Sequence, residues 1–264
     1  MARIAIGIEY DGSAYSGWQT QPHARSVQGE LEAALSRVAD HPVAMTAAGR
    51  TDAGVHALAQ VAHFDSDAAR PLQAWVLGAN AESAADVSVL WAHPVSEDFH
   101  ARFSALSRTY VYRVLNRPIR PALDRERLCW RRRTLDAERM HEAAQALLGD
   151  HDFSSFRAAQ CQSSTSMRRL LEISVTRCGE IIEIRVRANA FLHHMVRNIA
   201  GTLLAVGCGD RAPGWVDEVL AVRDRTRAGV TAPPQGLYFA GVEYPSGFGL
   251  PSVRLPDLRP GVPP

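Results

Sequence analysis

One short acid, Asp52, lies between two glycines and beside an arginine and a histidine, in the segment Gly49-Arg50-Thr51-Asp52-Ala53-Gly54-Val55-His56. Glycine permits tight turns and close approach of a ligand to the backbone. A carboxylate in such a place can act as a nucleophile in covalent catalysis. The string Thr-Asp-Ala-Gly is also typical of a turn in which aspartate caps backbone amides. Asp52 therefore has two interpretations, nucleophile or turn cap.

The elements on either side predict where this segment lies. Alternating apolar residues indicate strands at 3–10, 43–47 and 60–64, with the Asp52 segment as a loop between the last two. Ser26 is a good N-cap for a helix that runs to about Val38. Pro71 suits the first turn of a second helix, and a further strand is predicted at 87–91. The buried stripe of that second helix is predicted to be Leu72, Trp75, Val76 and Ala79.

The second half of the chain repeats the mixture of strands and helices. Strands are predicted at 110–115, 171–176, 181–187 and 237–244, and helices after the N-cap Asp136, at 191–206 and at 215–222. The tail after Pro245 is rich in Pro and Gly and is expected to be irregular. On the 191–206 helix, His193, Arg197, Gly201 and Leu204 share one face, opposite an apolar stripe. Arg197 is therefore expected to point away from the core.

Strands and helices alternate without the regular rhythm of a parallel sheet, so the order favours an α+β fold. We expect two lobes of mixed, mostly antiparallel sheet with flanking helices. The first lobe is expected at 1–104 and carries the Asp52 loop. The second is expected at 105–264 and is basic.

Charge is unevenly distributed along the 264 residues, although the net charge is only +1. Residues 1–101 hold 5 Arg against 12 acidic residues, and residues 102–264 hold 24 Arg against 16. Every basic residue is arginine, and ten of them fall between Arg102 and Arg133. The planar guanidinium suits phosphates and base edges. The cluster therefore indicates a surface for RNA or DNA.

The chain contains neither a run of apolar residues long enough for a membrane span nor an apolar signal core after Met1. The four cysteines, Cys129, Cys161, Cys178 and Cys208, are far apart, and no Cys or His pair has the spacing of metal ligands. We expect reduced thiols in a soluble cytoplasmic protein without a metal or other cofactor.

Several motifs, in one order along the whole chain, resemble the TruA family of tRNA pseudouridine synthases. They are Tyr10-Asp11-Gly12 with Gly17-Trp18-Gln19-Thr20-Gln21-Pro22, Ala48 to Ala57, Phe99-His100-Ala101-Arg102-Phe103-Ser104-Ala105, Arg108-Thr109-Tyr110-Val111-Tyr112, His151-Asp152-Phe153-Ser154-Ser155-Phe156, Asn189 to Asn198 and Thr231 to Leu237. Two departures are visible. Tyr15 stands where phenylalanine is usual in the family, and Ser83-Ala84 stands where Leu-Pro is usual.

The resemblance implies the pseudouridine synthase fold, with an active-site cleft between the lobes, and assigns roles to four residues. Asp52 matches the nucleophile, which attacks either C1′ of the sugar or C6 of the uracil. Arg197 matches the cation that keeps this acid ionised. Tyr110 matches the active-site tyrosine, whose ring can stack on uracil and whose phenol can take part in removing the C5 proton. Arg50 matches the residue that helps to hold the target nucleotide out of its stack.

The resemblance also implies a substrate and an assembly. The family acts on uridines at positions 38, 39 and 40 in the anticodon arm of tRNA, and it works as a homodimer that binds one tRNA across both subunits. The arginines between Arg102 and Arg133 would then contact the tRNA backbone. His56 is interpreted as part of the loop architecture, and Tyr112 as a structural strand tyrosine. Cys161 lies in a family motif but has no identifiable base partner.

Two other functions compete with this one. A non-catalytic RNA-binding module would need the arginine cluster but not Asp52, and it would form no pseudouridine. A nucleoside or sugar hydrolase would need a second carboxylate. Glu9, Asp11 and Glu30 are available, but no motif pairs any of them with Asp52. Release of free uracil would indicate the hydrolase.

Overall fold

Ten strands and five α-helices form within residues 1–251, the part of the chain that this computed structural model describes. The strands are β1 (Ala2–Tyr10), β2 (Met45–Ala47), β3 (His56–Ser66), β4 (Val87–Val95), β5 (Ser107–Asn116), β6 (Cys129–Arg131), β7 (Gly149–Asp152), β8 (Met167–Cys178), β9 (Ile181–Ala188) and β10 (Leu237–Glu243). The helices are α1 (Val27–Ala39), α2 (Leu72–Glu82), α3 (Ala137–Ala144), α4 (Met195–Gly207) and α5 (Trp215–Val222). The mixed content and mostly antiparallel pairing confirm the predicted α+β class.

The chain folds as two compact units. Met1–Leu106 and residues 238–251 form the first, and Ser107–Leu237 forms the second. The last strand was expected to lie wholly in the second lobe, but the structure assigns it from Tyr238 onward to the first unit. From Tyr238 onward, β10 runs parallel to β3 and pairs Tyr238 with His56. Alternating apolar residues identify a strand but not the strand with which it pairs, so the sequence around Tyr238 did not indicate that β10 pairs with β3.

In the first unit, the strand order is β4-β1-β3-β10, with β2 paired to β3. The helix α2 packs against this sheet through Trp75, whose ring meets Phe64 of β3 edge-on with 5.1 Å between centroids. Alternating apolar residues are typical of a half-buried strand, but every residue of β1 from Ile4 to Ile8 is buried. Both faces of β1 are therefore covered.

Two predicted helix starts are confirmed by their caps. The Ser26 side chain accepts a hydrogen bond from the Gly29 amide, and the Asp136 side chain accepts from Glu138 and Arg139. The predicted stripe of α2 is right for Trp75 and Ala79, but Leu72 is exposed.

In the second unit, the strand order is β5-β9-β8-β7, with β6 parallel to β5. The predicted strands at 171–176 and 181–187 form the hairpin β8–β9, which turns at Gly179 with a φ of +59°. The strands β6 and β7, of 3 and 4 residues, were not predicted, and the sequence of β7, Gly-Asp-His-Asp, contains no alternating apolar residues.

The helix α4 begins at Met195, four positions later than predicted. His194 precedes it with a left-handed φ of +60°. The His193 carbonyl accepts from the Ala158 amide, and the His193 amide donates to the Cys161 sulfur. Because a neighbouring loop uses these backbone groups, they are not available to a further helical turn.

Beyond β10, residues 244–251 contain one short 3₁₀ turn at Ser246–Phe248. The rest of the tail that was expected to be irregular lies outside the described residues. Across residues 1–251, every helix is too short or too polar to cross a membrane.

Candidate active site

Asp52 lies partly exposed in the loop between β2 and β3, directly after the buried Thr51. Three neighbouring residues hold this loop by hydrogen bonds. Thr51 accepts at its carbonyl from the Trp18 amide at 3.0 Å, and its hydroxyl lies 2.7 Å from the Tyr10 hydroxyl. The Gln60 side chain donates to the Gly49 carbonyl at 2.7 Å. The loop is thus a fixed support for Asp52.

Buried aromatic rings lie beneath the loop. Tyr10 is 4% exposed and Trp18 is 2% exposed, and their ring centroids are 6.0 Å apart. Burial raises the pKa of Tyr10 to about 12. The phenol therefore stays protonated across the physiological range and remains a hydrogen-bonding partner for Thr51.

Two glycines of the Tyr10-to-Pro22 motif allow this close packing. A Cβ on Gly12 would lie 2.0 Å from the Val55 carbonyl oxygen, and one on Gly17 would lie 2.8 Å from the Thr51 oxygen. Gly17 also has a φ of +102°, which strains any residue with a side chain. The resemblance to the family assigned no role to this motif. The structure shows that it supports the Asp52 loop.

The other polar residues of the loop differ in placement. Arg50 is exposed, two positions before Asp52. His56, at 2% exposure, begins β3, and its Nδ1 accepts from the Gly12 amide at 3.1 Å. Its ring stacks on Tyr238 with 4.8 Å between centroids. These contacts support the interpretation of His56 as loop architecture.

The two departures from the family pattern belong to one polar network in the first unit. The Tyr15 hydroxyl donates to Asp86 at 2.5 Å, and Arg25 holds Asp86 with two bonds of 2.9 and 3.1 Å. Arg25 also faces Glu30, which accepts from the Ala84 amide at 3.0 Å. Proline at position 84 would lack that amide, and phenylalanine at position 15 would lack that hydroxyl.

In the second unit, Tyr110 and Tyr112 lie on β5. Tyr110 is partly exposed and meets the Phe191 ring edge-on at 4.9 Å. Tyr112 is fully buried and donates to the Pro233 carbonyl at 2.9 Å. Burial strongly raises the pKa of Tyr112. Tyr112 is thus a structural tyrosine, whereas Tyr110 is partly exposed.

Arg197 occupies the third position of α4, and the segment 229–233 covers the same face of the helix. Its Nε donates to the Ala232 carbonyl at 2.8 Å, and its own carbonyl accepts from the Ala232 amide at 3.1 Å. Arg197 is partly buried, and both Gly201 and Leu204 are buried. This face was expected to point away from the core, but a crossing chain segment covers it.

The buried side chain of Asn198 also binds the segment 229–233. Asn198 was not identified as a functional residue from the sequence. Asn198 donates to the Phe156 carbonyl at 2.8 Å. Its oxygen accepts from Thr231 at 2.7 Å and from Arg225 at 3.0 Å. Asn198 closes the Asn189 to Asn198 motif, and a polar residue between apolar helix positions was the one available signal.

The thiol of Cys161 lies close to several hydrogen-bond donors. Burial alone would raise the pKa of Cys161, but the amides of His193 and Ser163 and the Arg157 guanidinium hold that pKa below its ordinary value. Cys208, like Cys161, is partly buried, but burial raises the pKa of the Cys208 thiol above its ordinary value.

The arginines between Arg102 and Arg133 include ion-paired and exposed residues, and the two sets overlap. Arg117 faces Glu180 at 3.3 Å, Arg125 faces Glu126 at 3.3 Å, and Arg133 faces Asp210 at 2.9 Å. The exposed residues are Arg102, Arg120, Arg125, Arg127, Arg132 and Arg133.

Within each unit, the structure brings some candidate residues together. Arg50 and Asp52 share one loop in the first unit. In the second, the Tyr112 hydroxyl and the Arg197 side chain both bind the Ala232-Pro233 segment.

A family model described as tRNA pseudouridine synthase matches residues 6–104 and 143–245. The Asp52 loop and α4 lie inside these segments. Tyr110 and nine of the ten clustered arginines lie between them.

Curated relatives extend the similarity over almost the whole chain. A protein of Coxiella burnetii is 56% identical over 255 residues, which cover 97% of this chain and 98% of the relative. One of Methylococcus capsulatus is 57% identical over 248 residues, covering 94% and 92%. One of Xanthomonas euvesicatoria is 56% identical over 252 residues, covering 95% and 98%. All three are named tRNA pseudouridine synthase A.

Proposed function

We propose that this chain, which belongs to the tRNA pseudouridine synthase family, converts uridine in tRNA to pseudouridine with Asp52 as its nucleophile. The placement of Asp52 carries the proposal. Asp52 is partly exposed, while the neighbouring residues Gly49 and Thr51 are hydrogen-bonded to Tyr10, Trp18 and Gln60. A nucleophile held on a rigid loop meets its target without first losing conformational freedom.

The reaction rearranges bonds within one nucleotide. The N1–C1′ bond breaks, the uracil turns, and a C5–C1′ bond forms. The C5 proton leaves and N1 gains a proton, so product and substrate have the same atoms. A carboxylate that forms a covalent intermediate, at C1′ of the sugar or at C6 of the uracil, divides this change into smaller steps.

Three further residues complete the proposal. Arg50, exposed beside the nucleophile, holds the target nucleotide out of its stack. Tyr110, which is partly exposed, stacks on the uracil. Arg197 supplies the positive charge that keeps the nucleophile ionised. Its position in the first turn of α4 supports this role, because a cation is otherwise disfavoured at a helix N-terminus.

The family resemblance also supports a target and an assembly. We propose that the substrates are uridines 38, 39 and 40 of the anticodon arm and that two copies of the chain bind one tRNA. Activity on tRNA supports a cytoplasmic location. Sedimentation of the protein with and without tRNA measures the assembly, and a strictly monomeric complex would contradict it.

The Asp52→Asn variant tests the nucleophile. Asparagine caps turns about as well as aspartate, so the loop should fold and tRNA should still bind. Turnover should fall by at least roughly a thousandfold, as when other enzymes lose a nucleophile. The measurement is pseudouridine mapping on a tRNA transcript, with Kd determined in parallel.

Asp67→Asn is the matched control, because Asp67 is an exposed acid of the same unit. Near wild-type turnover by Asp52→Asn would remove Asp52 from the mechanism. Tight binding of tRNA by the wild-type protein with no pseudouridine formed would instead favour the non-catalytic RNA-binding module.

A further inference from the structure

The loop between β4 and β5, residues 97–105, is tied to the first unit through its carbonyl groups. Arg3 donates to the carbonyls of Glu97 and Phe99 at 2.5 and 2.9 Å. The Tyr244 hydroxyl donates to the Ala101 carbonyl at 2.6 Å. An arginine from the first strand and a tyrosine after the last strand thus hold the same short loop.

The amides and one side chain of the 97–105 loop are fixed as well. His63 accepts from the Ala101 amide at 3.2 Å, and Ser104 accepts from the His100 amide at 3.0 Å. Phe99 is fully buried, and its ring centroid is 5.1 Å from that of Phe248. The 97–105 loop is therefore rigidly held, although it belongs to no helix or strand.

The 97–105 loop exposes one aromatic side chain, Phe103, to solvent. Phe103 is 75% exposed, whereas every other Phe, Tyr and Trp among residues 1–251 is buried or partly buried. The His100 ring lies against it with 4.3 Å between centroids and 31° between planes. The Arg102 guanidinium lies 5.6 Å from the Phe103 centroid.

Hydrogen bonds set the orientation of His100. Its Nδ1 accepts from the amides of both Arg102 and Phe103 at 3.2 Å, which requires an unprotonated nitrogen there. His100 therefore supports Phe103 as a neutral ring, and Arg102 supplies the positive charge. Other exposed apolar side chains of the first unit, such as Leu77 and Leu90, are aliphatic.

An exposed, immobilised aromatic ring beside an arginine has the two properties that unpaired nucleotides require. The ring offers a face on which any base can stack, and the guanidinium can bind the adjoining phosphate.

We propose that Phe103, backed by His100, is a platform on which an unpaired base of the bound tRNA stacks while Arg102 contacts a neighbouring phosphate. The proposal rests on the proposed function, since it adds a second RNA contact to the same substrate. This contact lies on the 97–105 loop and is distinct from the Asp52 loop.

Binding of an anticodon stem–loop RNA to Phe103→Leu, Phe103→Trp and Arg102→Gln tests the platform. Leucine keeps the apolar surface but loses the aromatic face, so its Kd should rise about 5- to 150-fold, and tryptophan should restore affinity. The slope of log K against log salt should be unchanged in Phe103→Leu and smaller by about 0.7 to 0.9 in Arg102→Gln. A blunt RNA duplex of equal length should bind all ring variants alike.

Leu77→Ala, an exposed apolar change elsewhere in the first unit, is the matched control and should bind as wild type. Wild-type affinity in Phe103→Leu, or equal losses in the leucine and tryptophan variants, would overturn the platform. A changed sedimentation coefficient in Phe103→Leu without a change in Kd would place a protein partner there instead. Pseudouridine formation by the wild-type protein, measured in the same preparation, separates these outcomes from failure of the proposed function.

Discussion

The hydroxyl of Tyr10 reaches Thr51, the residue before Asp52, from a buried position beneath the loop. Tyr10→Phe should leave the core packed but remove this contact, at a cost of about 1 to 3 kcal/mol in the free energy of unfolding. Turnover should fall by more than tRNA affinity, because the loop would lose one of the bonds that fix Asp52. Urea denaturation and steady-state kinetics measure the two effects.

A double-mutant cycle with Thr51→Ala isolates this contact. The effects of Tyr10→Phe and Thr51→Ala on turnover should be less than additive, since either change removes the same bond. Strict additivity would show that the two hydroxyls act separately.

His63 gives the first unit a sensitivity to acid. Burial is the main cause, followed by nearby Arg3 and His100, and together they lower the pKa of His63 from 6.5 to about 4. The unfolded chain therefore takes up a proton at a higher pH than the folded chain does. Stability should fall as the pH drops from 6.5 to about 4, by up to about 3 kcal/mol.

Urea denaturation of wild type and His63→Gln across this pH range measures the effect. Glutamine can still accept from the Ala101 amide but does not titrate, so its stability should change less over the same interval. His100, whose pKa is also lowered chiefly by burial, keeps some slope in both proteins. Identical slopes would show that His63 is not responsible.

At the scale of elements, α4 depends on Gly201. A Cβ there would lie 1.8 Å from the Val230 carbonyl oxygen, so the covering segment 229–233 would have to move. The gain in helix propensity from alanine is smaller than the expected cost of overpacking, roughly 1 to 3 kcal/mol. Gly201→Ala should therefore lower both stability and turnover, because Arg197 is bonded to that segment.

Gly214→Ala is the control, since a Cβ at Gly214 meets no atom within 4 Å. Thermal unfolding and turnover below both melting temperatures would separate the two effects. A Gly201→Ala protein with wild-type turnover would show that the segment does not position Arg197.

The elements differ in how far the sequence could predict them. Ser26 and Asp136 are local caps, so the starts of α1 and α3 followed from residue type and spacing. The start of α4 did not, because the backbone of His193 is bonded to a loop more than thirty residues earlier. The Asp52 loop was recognisable by its motif, whereas its support by Tyr10 and Gln60 depends on strands that meet only in the folded unit.

For the whole molecule, the two units differ in continuity. Ser107–Leu237 is one stretch of chain, whereas the first unit needs residues from 238 onward to pair with β3 and to place Tyr244 against Ala101. A fragment of residues 1–106 should therefore be less stable than a fragment of residues 107–237. Limited proteolysis and circular dichroism compare them, and equal or greater resistance of the 1–106 fragment would contradict this.

The late return of β10 also bears on how the protein is made. A ribosome releases the Asp52 loop early, but the strand that completes its unit emerges only after residues 107–237 have been translated. Domains generally fold as units during synthesis. The nascent first unit therefore remains incomplete, with the β10-pairing edge of β3 uncovered, while the second unit is translated. Messages truncated before codon 238 should yield chains that depend on chaperones. The unit that holds the Asp52 loop would then be completed only after Tyr238 and the residues that follow it have been translated.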